Sequence, residues 1–145
     1  MRIAFVCTGN TCRSPMAEAI FRFYAKEKGL DNVEVSSYGL RIDPNERVTS
    51  DKAVKAVKNI GIPIRAKKAK AVTENVINTA DYVIVMTEAQ KKILPYENVF
   101  TFDSLTGGGD IPDPYGEGQD AYDATAFRLK LAIQNLINDI AGGKL

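Results

Sequence analysis

"MRIAFVCTGNTCRSPMAEAIF", residues 1–21, decides the fold, because three kinds of chain follow one another in it without a break. Ile3 to Val6 is a short apolar run of strand length. "CTGNTCRS", residues 7–14, then gathers two cysteines, a glycine, an asparagine, an arginine and three hydroxyl side chains. From Pro15, a favoured first helical residue, Met16, Ile20 and Phe23 recur at helical spacing until Gly29 stops the pattern. A buried strand, a polar loop and a helix form the opening unit of a parallel α/β sheet.

The same alternation continues outward. "VEVSSYG" (33–39) alternates as a second strand, and "TSDKAVKAVKNIG" (49–61) predicts a helix with hydroxyl caps, a stripe of Ala53, Val54 and Val57, and a stop at Gly61. "YVIVM" (82–86) is a continuous apolar run, as expected of a strand buried on both faces. "TEAQKKIL" (87–94) carries Thr87 and Gln90 at capping-box spacing before Pro95, and "NVFTF" (98–102) predicts a fourth strand. "DSLTGGGDIPDPYGEGQD" (103–120) reads as one long loop. A last helix from Asp120 to Ala141 is predicted to turn Phe127, Leu129, Ile133, Leu136 and Ile140 inward. The expectation is a single α/β domain over residues 1–145, with a central four-stranded parallel sheet and helices on both faces. Ligands of such sheets sit beyond the carboxyl ends of the strands, where loop 7–14 lies.

Composition narrows the function classes. The formal net charge is +1, so no global field draws the chain to nucleic acid or anionic lipid. No apolar run approaches the roughly 20 residues of a membrane span, and the first is too short for a signal peptide. Two cysteines make no disulfide framework, which suits a reducing cytoplasm. The chain contains no histidine, which removes Ser-His-Asp and Cys-His pairs and every His-ligated metal site.

Within these limits loop 7–14 is suited to hold a tetrahedral dianion. The first N–H groups of a helix lack intrahelical partners, and the helix dipole adds partial positive charge. Gly9 permits a positive φ that helps successive amides converge. Arg13 adds a planar fork matched to two phosphate oxygens. Cys7 stands at the start of this cradle in Cys-x5-Arg spacing, and its surroundings favour the thiolate, a nucleophile that needs no histidine. Ser14 is placed to donate to the sulfur, and Asn10 to hold the loop through side-chain-to-backbone bonds. A nucleotide-binding P-loop would end in Gly-Lys-Ser/Thr, whereas this loop ends Cys-Arg-Ser. Cys12, taken alone, reads as packing or loop structure.

A leaving group displaced from a phosphoryl centre needs a proton, so a general acid is required. Asp113 lies between Pro112 and Pro114, which restrict the backbone and hold one carboxyl in place; Asp110, beside Gly109, competes less well. Asp-Pro by itself signals a turn, and the pairing with loop 7–14 is what selects Asp113. Tyr115 then reads as an aromatic wall for the substrate. The cluster "RAKKAK" (65–70) reads as a solvated loop.

"VCTGNTCRSPMAE" followed by "DPYG" resembles the low-molecular-weight protein tyrosine phosphatases, and the likeness extends to "SSYG" (36–39) and "ADYVIVMT" (80–87). The resemblance implies Cys7 as nucleophile and phosphocysteine carrier, Arg13 and the loop amides as phosphoryl ligands, and Asp113 as the acid that protonates the leaving group and then activates water. The implied substrate-binding set is Thr8, Gly9, Asn10, Thr11, Cys12, Ser14 and Tyr115. No metal or organic cofactor is implied; phosphorylated proteins are the expected partners, and the chain is expected to act as a cytoplasmic monomer. Two positions depart from the common pattern. Tyr38 stands where many relatives carry a small residue. Thr11 stands where tyrosine-directed members usually carry isoleucine, while members resembling protein arginine phosphatases carry threonine. Phosphotyrosine and phosphoarginine are therefore both open. An arsenate reductase of this fold would need further cysteines beyond Cys12, a phosphocarrier would not need Asp113, and a non-catalytic phosphate-binding module would need neither Cys7 nor Asp113. Cys7 and Cys12 share one loop, so a reversible disulfide is the expected response to peroxide.

Overall fold

The computed structural model describes residues 1–145 and alternates strand and helix in the expected order. β1 (Arg2–Cys7) leads into α1 (Arg13–Glu27), and β2 (Glu34–Gly39) is followed by α2 (Asp51–Asn59) and α3 (Glu74–Thr79). β3 (Tyr82–Val85) precedes α4 (Glu88–Ile93), β4 (Val99–Thr101) precedes α5 (Phe102–Thr106), and α6 (Gln119–Ala141) closes the chain. The four strands pair in parallel in the order β2-β1-β3-β4. The chain leaves β1 toward β2 and returns past it to β3, so the topological switch lies between β1 and β3, and a crevice opens above their carboxyl ends.

Strand alternation divides the core in two. Ile3, Phe5 and Cys7 face a large cluster built with α1, α2 and α6, whereas Ala4 and Val6 join Val83, Val85, Val99, Ile77 and Leu94 on the other face. Phe5 is fully buried, tilted against Phe21 and stacked on Phe102 with ring centroids 5.9 and 5.7 Å away. Burial of one such ring contributes about 1.5–3 kcal/mol. No helix is long and apolar enough to cross a membrane.

Several boundaries and faces differ from the sequence reading. α1 begins at Arg13, two residues before Pro15, because the end of the polar loop already has helical geometry; Pro15 still sits in the first turn, where a missing N–H costs nothing. The region read as one loop opens with α5, capped by Thr101 Oγ1 accepting from Ser104 N at 2.9 Å. α3 was not predicted: it is one short turn with Ile77 as its only buried residue, too little for a periodic signal. On α2 the buried stripe is Ala53, Ala56 and Val57, with Val54 only half-buried. On α6 Phe127 points to solvent at 53% exposure, and Ile140 is only partly buried. The inward ladder there is Tyr122, Ala126, Leu129, Ile133, Leu136 and Ile137; Ala126, one step before Phe127, takes the core-facing phase.

Candidate active site

Cys7 ends β1 and is 3% exposed. Its Sγ lies 2.9 Å from Ser14 Oγ and accepts the backbone N–H of Ser14 at 3.4 Å, so the first turn of α1 is aimed at the sulfur. Between them the loop folds around Asn10, whose φ of 58° makes it the single non-glycine residue with positive φ. Asparagine tolerates this region better than most residues. The strained position therefore falls on Asn10 and not, as expected, on Gly9. A Cβ at Gly9 would meet only Thr11 Oγ1, at 3.8 Å, and both residues line the pocket described below.

Asn10 is completely buried and uses both ends of its amide. Nδ2 donates to Ser14 Oγ at 2.7 Å and to Ser37 Oγ at 3.1 Å. Oδ1 accepts from Lys67 Nζ at 2.6 Å and from the Lys70 backbone N–H at 3.0 Å. "RAKKAK" is thus not simply a solvated loop, because Lys67 and Lys70 brace the loop from behind. Glu18, buried on α1, joins this brace by accepting from Ser37 Oγ at 2.6 Å.

Three further residues, not selected from the sequence, hold the loop in place. Gly39, opposite Cys7 in the β1–β2 register, lies so close to the loop that a Cβ would stand 2.9 Å from the Gly9 carbonyl carbon and 3.0 Å from Asn10 N. Only glycine fits there; the signal was the glycine ending the second strand, and its reason lies in a distant loop. Gln90 Nε2 donates to Thr8 Oγ1 at 3.1 Å while its Oε1 accepts from Met86 N and Thr87 N, so the α4 capping residue also fixes the loop. The backbone N–H of Ser50, which caps α2, donates to the Thr11 carbonyl at 2.9 Å.

Arg13 is nearly closed off from solvent. Its Nη1 donates to the Ile111 carbonyl at 2.9 Å, and its Nη2 lies 3.5 Å from Asp113 Oδ2. The segment carrying Asp113 is anchored by Ile111 N donating to Met86 O at 2.9 Å. Asp113 Oδ1 accepts the Tyr115 N–H at 3.1 Å, a local turn bond that orients the carboxyl. Asp110, the competing acid, accepts from Glu88 N at 3.0 Å and is absent from the pocket lining, so its observed contact is structural. The Tyr115 ring stands at the rim, and its hydroxyl donates to Glu46 Oε1 at 2.9 Å; that bond raises its pKa.

A concave pocket of about 630 Å³ brings together every predicted site residue except Asn10 and Ser14, which lie behind the loop. Arg41, Ile42, Asp43, Pro44 and Glu46 form a wall that the sequence did not reveal. Cys12 also lines the pocket; its thiol donates to Tyr122 Oη at 3.6 Å, and burial pushes its pKa up. Burial and the same sulfur contact push Tyr122 up to about 12. No three His, Cys, Asp or Glu side chains gather in an arrangement that could hold a metal ion. A sulfur at a helix N-terminus, a guanidinium and a facing carboxyl together can bind a tetrahedral anion, attack it and protonate what leaves.

Residues 2–144 match the family model described as low molecular weight phosphotyrosine protein phosphatase. The chain is 38% identical to a protein-arginine-phosphatase of Bacillus subtilis (strain 168), over 97% of each protein. It is 34% identical to the low molecular weight protein-tyrosine-phosphatase PtpB of Staphylococcus haemolyticus, over 94% of this chain and 97% of the relative. Among solved structures it superposes with a TM-score of 0.88 and 38% identity on YwlE arginine phosphatase, in a cysteine-to-serine variant whose active-site serine is phosphorylated. That match covers 97% of this chain and 95% of the other.

Proposed function

The chain belongs to the low molecular weight phosphotyrosine protein phosphatase family, and from that premise we propose that it removes phosphate from phosphorylated protein side chains through a phosphocysteine on Cys7. One observation carries this reading: Cys7 Sγ accepts the Ser14 N–H and lies 2.9 Å from the Ser14 hydroxyl, at the floor of a pocket whose walls carry Arg13 and Asp113. The Cys7 thiolate attacks phosphorus, forming an S–P bond as the bond to the leaving group breaks. Asp113 supplies the proton that the leaving nitrogen or oxygen takes. Asp113 then removes a proton from a water that attacks the phosphocysteine, releasing inorganic phosphate and restoring the thiolate. Arg13 and the loop N–H groups hold the phosphoryl oxygens throughout. In this reading the enzyme is a cytoplasmic monomer acting on phosphorylated proteins, and its two free cysteines suit a reducing compartment.

The substrate side chain we propose is phosphoarginine. Thr11 lines the pocket and offers a hydroxyl acceptor to a guanidinium N–H. An aliphatic wall would leave such donors unpaired, at about 1–3 kcal/mol each. Phosphotyrosine is the second reading, favoured by the exposed Tyr115 ring at the rim and by tyrosine-directed relatives. Thr11→Ile is expected to lower kcat/KM on a phosphoarginine peptide by about one to two orders of magnitude, at roughly 1.4 kcal/mol per tenfold. Activity on the matched phosphotyrosine peptide should hold or rise. An unchanged ratio of the two rates would show that Thr11 does not select the substrate.

The same reading gives Cys12 a protective task. Peroxide converts the Cys7 thiolate to a sulfenic acid with loss of hydroxide, and attack by the Cys12 sulfur expels water and forms a disulfide that external thiol reduces. After a peroxide pulse, thiol should restore most wild-type activity and much less of that of Cys12→Ser. Equal recovery of the two proteins counts against the disulfide.

A further inference from the structure

Behind the catalytic loop stands a cation for which the proposed reaction has no use. Lys67 is half-buried, and its Nζ donates to Asn10 Oδ1 at 2.6 Å and to the Ser37 carbonyl at 3.2 Å. Two donors, Lys67 Nζ and Lys70 N, converge on Oδ1, which fixes the orientation of the Asn10 amide. Asn10 Nδ2 must then be the donor to Ser14 Oγ, at 2.7 Å. Ser14 Oγ keeps one proton, which it can direct to Cys7 Sγ at 2.9 Å or to the Tyr38 carbonyl at 3.2 Å. With the first of these, an unbroken series of donors runs from an ammonium to the sulfur, every bond pointing the same way. A charge at its head strengthens each later donor, because bonds arranged in this sense polarise one another in a low dielectric.

We propose that Lys67 is a positioning residue whose charge, relayed through Asn10 and Ser14, stabilises Cys7 in its nucleophilic thiolate form. This rests on the reading of Cys7 as nucleophile. It supplies, from outside the pocket, a cation acting on the sulfur in a chain that has no histidine. Other charged groups face the assembly: Arg13 and Asp113 from the pocket, Glu18 and its ion-pair partner Arg22 from α1, and Lys70 from the same segment as Lys67. Burial pulls the Lys67 pKa down from its ordinary value, while Glu18 and the Cys7 sulfur act to keep it charged. Arg13 will be engaged by the phosphoryl group, which leaves Lys67 as a cation whose effect on the sulfur persists whether or not the pocket is filled.

The test follows alkylation of Cys7 by iodoacetamide against pH, with the modified residue identified by peptide mass, in wild type, Lys67→Met, Lys67→Gln and Lys67→Arg. Only the thiolate reacts, so the rate reports its fraction directly. At about pH 6, Lys67→Met should react about tenfold more slowly than wild type and approach the wild-type rate in alkali. The acid limb of its kcat/KM profile on p-nitrophenyl phosphate should move to higher pH in step. Lys67→Arg, which keeps the charge, should restore both. Lys67→Gln, which keeps a donor and loses the charge, should behave as Lys67→Met and serves in its place if Lys67→Met does not fold. Alkylation profiles of the uncharged variants that superpose on wild type, or that are slowed equally at every pH, overturn the proposal. Failure of the wild-type protein to hydrolyse p-nitrophenyl phosphate would instead remove the phosphatase reading, and the alkylation comparison would still decide the relay.

Discussion

Cys7→Ser is expected to fold, to bind phosphate and to show no steady-state turnover. A serine hydroxyl is a weak nucleophile without a base, and the chain has no histidine to act as one. The cradle itself survives the change: the Ser14 N–H, the Arg13 guanidinium and the Asn10 bonds belong to other residues. A hydroxyl held in the same cradle keeps a slow stoichiometric transfer open to it, which would appear as a single phosphoryl group in the intact mass. The phosphoserine should persist, since an oxygen ester is harder to hydrolyse than the phosphocysteine it replaces. Hydrolysis of p-nitrophenyl phosphate by Cys7→Ser at a rate near wild type would remove Cys7 from the mechanism.

Asp113→Asn should reduce kcat by about 10²- to 10⁴-fold on substrates with poor leaving groups, because the amide cannot deliver the proton. The fold accommodates the substitution: Asn still accepts the Tyr115 N–H, Pro112 and Pro114 still restrain the backbone, and Ile111 still anchors the segment. Loss of the 3.5 Å ion pair with Arg13 should matter little to stability, since the carboxyl is about half exposed. The deficit should shrink as the leaving group becomes a stable aryl oxide, because such a group departs without a proton. Rates measured across a series of aryl phosphates of graded acidity test this directly. A loss of equal size for every leaving group contradicts the acid role and points to a general disturbance of the pocket.

What could be read from the sequence was local. The placement of Cys7, Arg13 and Ser14 was legible because a strand end, a loop and a helix start are consecutive in the chain. Asp113 was legible because two prolines mark it, and the α4 capping box because its spacing is fixed by helix geometry. Lys67, Gly39 and Gln90 were not, since each acts on residues at least 29 positions away and nothing beside them in the chain announces it. The pocket wall from Arg41 to Glu46 was missed for the same reason. Phe127 misled through its size: its hydrophobicity suggested the core, while helical phase gave that place to Ala126.

The clasps on the loop come from far downstream, at Gly39, Arg41, Ser50, Lys67, Lys70 and Gln90, and Arg13 is met by Ile111. During synthesis the ribosome therefore delivers the reactive segment first and the parts that complete it last. A nascent chain of some 60 residues already displays Cys7 but has no assembled anion cradle around it. Competence arrives only when residues beyond Ile111 have emerged, so a truncated or stalled chain carries the reactive sulfur without the chemistry. A polypeptide that ends before residue 111 holds Cys7 and Arg13 but lacks the carbonyl that fixes the Arg13 guanidinium.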